Sequence, residues 1–562
     1  MEASDTAPSS APPNDPLLGL DRKVVLNATE IFQQRFTMFS FLHGPTLLKL
    51  IYGKNPLDLR FCGIMALCAR FIPELIHEHG GPLAASEHFA AYLRHKITAQ
   101  IVISLDITIA QTLLLLSFHD WGSGKGGQSW TYNGMATRAC SVTLARLYRS
   151  KTHRPAVLQT QVEEARRTLW SCLMTEAMLG CGDLRSLSFH SRLYHVPLPS
   201  SDEDFIFGVR PENDLKYLEV LDLEFSDPPK IQRLGNTGFE INFSLIIQGF
   251  NIWSEVSRWV SSGQRTQRSP ASRGLSWRDD SFWSSSLTVL EDWREAQSSR
   301  VHFSATDSHL PAFLSRRHGE RYAFVNLIYY STSIFLHREC LPLIINGGPS
   351  QGGSDETNTS AEPVCTNWWE TSAEKLAESA LNTIHLIRQL LHHGIDLQVP
   401  FTCYCVFNAT TVLYYAKKWP EIIPGGPNAV ELFDWGVEWV SRASEIWEVA
   451  RVWRTTLMKI DTFHIGPGCS ISSTAALGPQ SSSQSRNWEE LRSDQISLPV
   501  EGNSPTPLGF DEIQLPHQQY YATSDGLSSI WDSLIAHPVH AFPAMDGGFL
   551  NFDSINSHID TR

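Results

Sequence analysis

The sequence lacks both a run of basic residues and an apolar stretch long enough to span a membrane. The formal net charge is -14, so the electrostatics of the whole chain oppose nonspecific contact with nucleic acid or anionic lipid. The most apolar window, residues 101–118, is interrupted by Asp106 and Gln111, which indicates a buried helix. The N-terminal residues MEASDTAPSSAPPND have neither the basic nor the apolar region of a signal peptide. We therefore expect no membrane partner.

The ten cysteines have no spacing that is typical of a zinc site. No C-x-x-C occurs in the sequence, although Cys62 and Cys68 lie six residues apart and Cys403 and Cys405 form a close pair. Scattered cysteines in a long chain without a secretory signal favour reduced thiols in an intracellular compartment. We predict that these cysteines pack as small apolar residues, and we predict no metal ligand and no cofactor for this chain.

The remaining pairs of titratable side chains do not form an active site that the sequence can identify. The pairs are His77 with His79, His392 with His393, Glu163 with Glu164, and Asp279 with Asp280. Neither histidine pair has the i, i+4 spacing of a helical zinc site. The adjacent acids are typical of helix starts, where the positive end of the helix dipole stabilises carboxylates.

Residues 348–352, GPSQG, match the G-x-S-x-G pattern of a nucleophile elbow. That motif needs a strand before it and a helix after it. Here it stands in a polar insert that has no helical pattern behind it, so we predict a flexible loop. We predict no catalytic residue in the chain and no enzymatic activity.

The glycine-rich segment WGSGKGGQSW, residues 121–130, resembles a phosphate-binding loop but lacks its essential features. Lys125 is followed by glycine instead of a hydroxyl residue, and His119 stands where the first glycine of the motif is required. The leucine-rich segment before it predicts a helix instead of a strand. We therefore predict a turn between two packed helices, the second starting near Trp130, with Trp121 and Trp130 holding the two ends of the turn against the bundle.

Alternating apolar and polar runs are scarce, so the sequence predicts an all-α fold, a large multi-helix bundle. Residues 160–163, TQVE, fit a capping box that would start a helix near Val162. From Val162 onward, apolar residues recur at spacings of three and four. The predicted helices are 29–39, 59–71, 84–97, 107–119, 130–149, 162–179, 243–260, 282–296, 322–339, 370–393, 402–418 and 429–460.

Composition divides the chain into a helical body and polar segments. Residues 1–20 are predicted to be disordered, residues 21–465 to form the helical domain, and residues 466–562 to form a disordered tail. Two inserts, 261–276 and 347–363, have the composition of linkers.

The tail mixes acidic residues with aromatic and branched apolar ones. The relevant segments are 510–513 (FDEI), 530–535 (IWDSLI) and 549–553 (FLNFD). Acidic neighbours keep bulky apolar groups solvated and available, a composition typical of activation segments that order on a partner. An ordinary disordered tail is the alternative interpretation.

Several segments, in their order along the chain, resemble the regulatory "middle homology" domain of fungal zinc-cluster transcription factors. They are residues 36–43 (FTMFSFLH), 67–71 (LCARF), 130–138 (WTYNGMATR), 164–172 (EARRTLWSC), 196–203 (VPLPSSDE), 207–208 (FG), 282–283 (FW), 290–294 (LEDWR) and 336–342 (LHRECLP). The resemblance covers most of residues 27–465, and its strongest element is EARRTLWSC.

The resemblance implies a nuclear regulator of RNA polymerase II transcription with sequence-specific DNA binding. The family's N-terminal zinc cluster, which holds zinc and contacts DNA, is missing from this sequence, so no DNA-binding residue is assigned. We expect either a truncated gene product or a co-regulator that depends on a DNA-bound partner, with the transcription machinery as a further partner. A homodimer and a small-molecule effector are also consistent with the family. The alternative function is a helical small-molecule sensor or scaffold without catalysis.

Overall fold

Helices account for nearly all of the architecture. The structure, a computed structural model, describes residues 14–101, 106–149, 156–180, 196–209, 241–261, 281–338, 367–421 and 423–463. These described residues contain no β-strand, which confirms the predicted all-α fold. Apart from Ser261, the two predicted inserts and the predicted tail lie outside the described residues, and the predicted domain boundaries stay predictions.

The N-terminal half of the described chain is built from nine helices. They are α1 (Arg22–Arg35), α2 (Gly44–Tyr52), α3 (Leu59–Cys68), α4 (Pro73–His79), α5 (Pro82–Ile101), α6 (Ile107–Gly122), α7 (Gly126–Arg149), α8 (Ala156–Gly180) and α9 (Asp202–Phe207). The helix α6 packs between α3 and α7, and α7 packs in turn against α8. The helices α3 and α6, in the middle of this half, are buried along nearly their whole length.

The C-terminal half of the described chain contains eight helices. They are α10 (Phe243–Ser261), α11 (Phe282–Glu295), α12 (Leu310–Ser315), α13 (Gly319–Arg338), α14 (Asn367–His392), α15 (Pro400–Lys418), α16 (Ala429–Ile446) and α17 (Glu448–Phe463). The helix α13 lies against α10, α14 and α15, and α15 lies against α16. The two halves meet where α10 contacts α8 and where α13 contacts α1.

Periodicity located most helices but not all of their boundaries. The short helices α2, α4, α9 and α12 were not predicted. The helix predicted for 429–460 is two helices, because Trp447 adopts an extended conformation between α16 and α17. Residues 14–20, predicted to be disordered, form a turn in which Leu17 and Leu20 pack against the core.

The predicted start of α8 is wrong. The helix begins at Ala156, so Thr160 and Glu163 are interior residues and do not form a capping box. The two adjacent glutamates that composition assigned to a helix start are both buried, at 7% and 6% exposure. The other adjacent acids, Asp279 and Asp280, lie outside the described residues.

The glycine-rich segment is a tight connection, as predicted, but it is shorter than expected. The helix α6 ends at Gly122 and α7 already begins at Gly126, with Gly124 at a φ of 74° that only glycine adopts without strain. Trp121 packs against Phe118, whereas Trp130 is 40% exposed. The prediction that Trp130 holds the turn against the bundle is therefore wrong.

The ring of Trp447 closes the core between the two halves. Its indole N–H donates to the Gln398 carbonyl at 2.7 Å. The Arg70 guanidinium carbon lies 3.6 Å from the centre of the ring, and the Phe36 and Phe71 rings lie at its edges. A Cβ atom placed on Gly122 would overlap this ring. The absence of a side chain at Gly122 therefore allows α6 to approach the α16–α17 connection.

We expect Gly122→Ala to lower the free energy of unfolding by about 1–3 kcal/mol, because a methyl group must displace the Trp447 ring in a packed core. Chemical denaturation of the full chain measures the change. The matched control is Gly44→Ala in α2, where the added carbon meets only the movable end of the Gln33 side chain, at 3.3 Å. Equal stability of the two variants would contradict the proposed close approach.

Candidate functional site: the buried charges of α8

The helix α8 carries four charged side chains into the centre of the fold. Residues 162–179 are buried on every side of the helix. Glu163, Glu164, Arg166 and Arg167 lie among them, with Arg167 only 1% exposed. A buried charge is tolerated only when it is paired and hydrogen-bonded. The contacts of these four side chains therefore define what this region does.

The guanidinium of Arg167 has an acceptor for each of its five N–H groups. Its Nε donates to Glu163 Oε1 at 3.0 Å, Nη1 to Asp202 Oδ1 at 2.7 Å and to the Ser40 carbonyl at 3.1 Å, and Nη2 to the carbonyls of Ser200 at 2.8 Å and Ser201 at 3.3 Å. The Phe205 ring lies under the guanidinium carbon at 4.3 Å. One side chain thus joins α8 to the segment before α2 and to the start of α9.

Asp202, the first residue of α9, is shared between two arginines. It accepts from Arg167 and also from Arg321 in α13. Burial alone would raise the pKa of the Asp202 carboxyl, but the Arg321 and Arg167 guanidinium groups outweigh burial and hold this pKa at about 2. Arg321 also donates to Ser40 Oγ at 3.0 Å. We name Glu163, Arg166, Arg167, Asp202 and Arg321 the Arg167 cluster.

The two adjacent glutamates of α8 have different environments. Glu163 accepts from Arg166 Nη1 at 2.6 Å, from Arg167, and from the Ser200 backbone N–H at 2.9 Å. Glu164 forms no ion pair within the described residues, and its Oε1 accepts the His43 backbone N–H at 3.2 Å. Burial raises the pKa of the Glu164 carboxyl, and the more distant Arg60 only partly offsets this effect.

The segments that carry the family resemblance meet around this cluster. Ser171 Oγ donates to the Met38 carbonyl at 3.0 Å, and Trp170 Nε1 donates to the Pro197 carbonyl at 3.0 Å. The ring of His43 contacts the Ile206 carbonyl through Nε2 at 3.0 Å. Residues 36–43, 164–172 and 196–208 therefore form one interface, although up to 163 residues separate the contacting atoms in the sequence.

Comparable contacts account for the resemblance segments in the C-terminal half. Trp283 Nε1 donates to the Leu336 carbonyl at 2.9 Å, which joins α11 to α13. Arg294 Nη1 donates to Asn326 Oδ1 at 2.8 Å, and Arg338 Nη1 donates to Asn408 Oδ1 at 2.7 Å. Each of these side chains is buried and joins two helices, so these segments also serve the packing of the fold.

The structure assigns no chemistry to the other candidates. Lys125 in the glycine-rich turn is paired with Glu87 at 3.2 Å, so its charge is already matched. His77, His392 and His393 are exposed, and His79 stacks on His88. Within the described residues, no three His, Cys, Asp or Glu side chains are grouped to hold a metal ion, and no helix is long and apolar enough to cross a membrane. The GPSQG segment lies outside the described residues.

The described cysteines are separate buried thiols, as predicted. They are Cys62, Cys68, Cys140, Cys172, Cys403 and Cys405. Burial raises the pKa of each thiol for which a shift is resolved, for example to about 12 for Cys172. A thiol that stays protonated is a poor nucleophile and a poor metal ligand.

Sequence reasoning missed the Arg167 cluster. A Glu followed by Arg at i+3 and i+4 is usually a pair on a solvated helix face. The usable signal was the length of the apolar pattern around it, because α8 has no polar face between Val162 and Leu179.

We expect Glu163→Gln to destabilise the protein by about 3 kcal/mol, because it leaves two buried arginines short of a carboxylate. The matched control is Glu164→Gln, the same change one residue later. Its neutral amide still accepts the His43 N–H, so we expect a loss below about 1 kcal/mol. Urea unfolding of the full chain at pH 7 compares the two variants. Equal losses would show that the ion pairs of Glu163 do not matter for stability.

We expect the stabilising contribution of Asp202 to depend on pH in the acidic range. An unperturbed aspartate has a pKa of about 3.9, and that of Asp202 in the fold is about 2. The contribution is therefore fully present above about pH 4 and is lost as the pH falls from 4 towards 2. Urea midpoints measured at steps from pH 6 to pH 3 should fall more steeply in the native chain than in Asp202→Asn. Parallel curves would contradict the pairing of Asp202 with the two arginines.

Comparison with known proteins finds one family model and several curated relatives that are similar to this chain. The model of the family described as "Fungal specific transcription factor domain" matches residues 30–293. An uncharacterized transcriptional regulatory protein of Schizosaccharomyces pombe is 26% identical over 379 residues, which covers 62% of this chain and 51% of that protein. A second uncharacterized transcriptional regulatory protein of the same organism is 24% identical over 53% of this chain and 30% of its own length.

A relative in Fusarium oxysporum f. sp. lycopersici, the Zn(2)-C6 fungal-type transcription factor FTF1c, is 21% identical over 66% of this chain and 38% of its own length. The chain thus spans between about a third and a half of the length of these relatives. No solved structure matches the chain significantly. The matched range contains the buried interface around α8 and most of the segments that suggested the resemblance. The chain is therefore similar over residues 30–293 to the fungal specific transcription factor domain.

Proposed function

We propose that this chain is a nuclear regulator of RNA polymerase II transcription. The observation that carries the proposal is the fungal specific transcription factor domain at residues 30–293. The relatives named as transcriptional regulatory proteins or transcription factors support it. Nuclear localisation and contact with the transcription machinery are part of the same proposal, as is a sequence-specific role on DNA.

The geometry of α8 favours regulation over catalysis. The charges of the Arg167 cluster are matched by one another and by backbone carbonyls, and the described thiols are buried. Such groups hold segments together but offer no free base or nucleophile to a substrate. We therefore assign this domain the role of a rigid regulatory body without enzymatic activity.

A zinc cluster, which the family implies, has no fitting residues in the described part of the chain. The six cysteines of the described chain are dispersed over the core. Within the described residues, no three His, Cys, Asp or Glu side chains are close enough to share a metal ion. Contact with DNA is therefore assigned either to a zinc cluster that this sequence does not contain or to a DNA-bound partner protein. Neither assignment involves a residue named in this structure.

The acidic and aromatic tail is proposed as the segment that contacts the transcription machinery. It lies outside the described residues, and the proposal rests on its composition. Residues 530–535, IWDSLI, alternate bulky apolar groups with an acid, as in segments that fold upon a partner. The alternative of a helical small-molecule-binding sensor or scaffold without catalysis stays a prediction.

A tethering experiment tests the proposal. We expect the full chain, fused to a foreign DNA-binding domain, to change transcription of a reporter of intermediate basal activity. Trp531→Ala combined with Leu534→Ala should remove most of any activation, because bulky groups supply the contact area. Ser533→Ala in the same segment is the matched control.

A fluorescent fusion of the full chain should be nuclear. A stably expressed fusion that leaves the reporter unchanged would overturn the proposal.

A further inference from the structure

A second group of charged side chains, unlike the Arg167 cluster, has no ion pair in the described part of the chain. It consists of Arg35 at the end of α1, Glu320 in the first turn of α13, Asp396 between α14 and α15, and Arg442 in α16. Asp396 is close enough to Arg442 and Arg35 to be influenced by their charges, and Arg35 is likewise influenced by Glu320. Two acidic and two basic side chains therefore lie in one region without forming direct ion pairs with one another.

Packing contacts bring these four elements together. The Arg35 guanidinium carbon lies 4.5 Å from the centre of the Phe71 ring, and Phe71 contacts Trp447. Trp447 donates to the Gln398 carbonyl at 2.7 Å. A Cβ atom on Gly319 would lie 3.6 Å from Ile395, so the start of α13 adjoins the α14–α15 connection. The four charged side chains therefore lie near the connection between α14 and α15, which contains Gln398.

Several polar atoms at this place are buried and have no hydrogen-bond partner in the described protein. They are Asp396 Oδ1, Gln398 Oε1, Thr402 Oγ1, Arg442 Nε and Trp439 Nε1, and the Trp439 indole N–H faces Asp396 closely enough to lower the pKa of its carboxyl. Gln398 is only 3% exposed, and its Nε2 donates to Asp396 Oδ2 at 3.0 Å, which places its unpaired oxygen beside the carboxylate. A buried polar group without a partner costs about 1–3 kcal/mol, so a set of five such atoms at one place indicates a missing partner.

The arrangement has a charged rim and a buried polar floor. Arg35, Asp396 and Arg442 are half-buried and face solvent in part, whereas Gln398 and Thr402 are buried. The hydroxyl of Thr402 has no hydrogen-bond partner in the described part of the chain. The donors on the rim are guanidinium groups, and the free acceptors are a carboxylate oxygen and an amide oxygen.

We propose that Arg35, Glu320, Asp396, Gln398 and Arg442, which we name the Asp396 cluster, bind a small zwitterion of the α-amino acid class. The ligand's carboxylate would accept from the arginines, and its ammonium would donate to Asp396 Oδ1 and Gln398 Oε1. The cluster carries two positive and two negative side chains, so a ligand that bears one charge of each sign leaves its balance unchanged. This assignment is independent of the proposed transcriptional function.

The protonation behaviour of the cluster agrees with incomplete pairing. Burial raises the pKa of the Asp396 carboxyl in spite of Arg442 and Arg35, and it raises that of Glu320 as well. Burial also lowers the pKa of Arg35 more than the neighbouring carboxylates raise it. Asp202 is the opposite case, because two direct ion pairs lower its pKa. A ligand that supplies both charges would complete the pairing that the protein leaves open.

Binding of free amino acids to the full chain tests the proposal. We expect at least one α-amino acid, among the common ones tried singly, to raise the melting temperature, because it binds only the folded state. The corresponding amine without a carboxylate and the corresponding acid without an amine should give no shift. Isothermal titration calorimetry should then show binding that Asp396→Asn and Arg442→Gln each weaken by about tenfold or more.

The matched control is Arg388→Gln, which removes an arginine from the exposed ion pair with Glu431 on neighbouring helices and should leave binding unchanged. Asp396→Asn is isosteric and can still accept from Gln398, so it keeps the test valid if Arg442→Gln does not fold. The proposal is overturned if no amino acid shifts the melting temperature, as expected if the site holds only water. It is equally overturned if binding survives in Asp396→Asn with unchanged affinity.

Discussion

A fully buried guanidinium must find an acceptor for every N–H group, and the N-terminal half of this fold is arranged around that requirement. Arg167 reaches two carboxylates and three backbone carbonyls that come from three separate parts of the chain. Apolar side chains could fill the same volume with many different partners. A five-donor fork accepts only one arrangement of acceptors, so the cluster fixes where the segments before α2 and at α9 must lie.

The core does not end where the family match ends. Trp447 lies far beyond residue 293, yet its ring is enclosed by Phe36, Arg70 and the bare backbone of Gly122. Arg70 in turn donates to the Ile446 carbonyl at the end of α16, at 2.7 Å. Residues of the matched segment therefore pack against the connection between α16 and α17, which lies outside that segment. The packed core therefore extends beyond the segment that the family model matches.

The sequence predicted most helices because the periodic apolar pattern of a helix is local and does not depend on which element it packs against. It failed where a single contact decides the outcome. The capping box at Thr160 was overridden because α8 continues to Ala156. No glycine or proline marks the helix break at Trp447 in the sequence. The extended backbone there accompanies a tertiary contact, the hydrogen bond from the indole N–H to the Gln398 carbonyl. No spacing rule could have found the whole Arg167 cluster or the whole Asp396 cluster, because each brings together residues that are far apart in the sequence.

The two charge clusters differ in whether the protein alone satisfies them, and this difference separates a structural role from a binding role. In the Arg167 cluster, direct ion pairs lower the pKa of Asp202 in spite of burial. In the Asp396 cluster, burial raises the pKa of the Asp396 carboxyl, because neither Arg442 nor Arg35 forms a direct ion pair with it in the described part of the chain. Well-packed apolar residues are often at least as stabilising as buried charges. Half-buried charges beside unpaired buried oxygens therefore favour a site whose missing partner comes from solution.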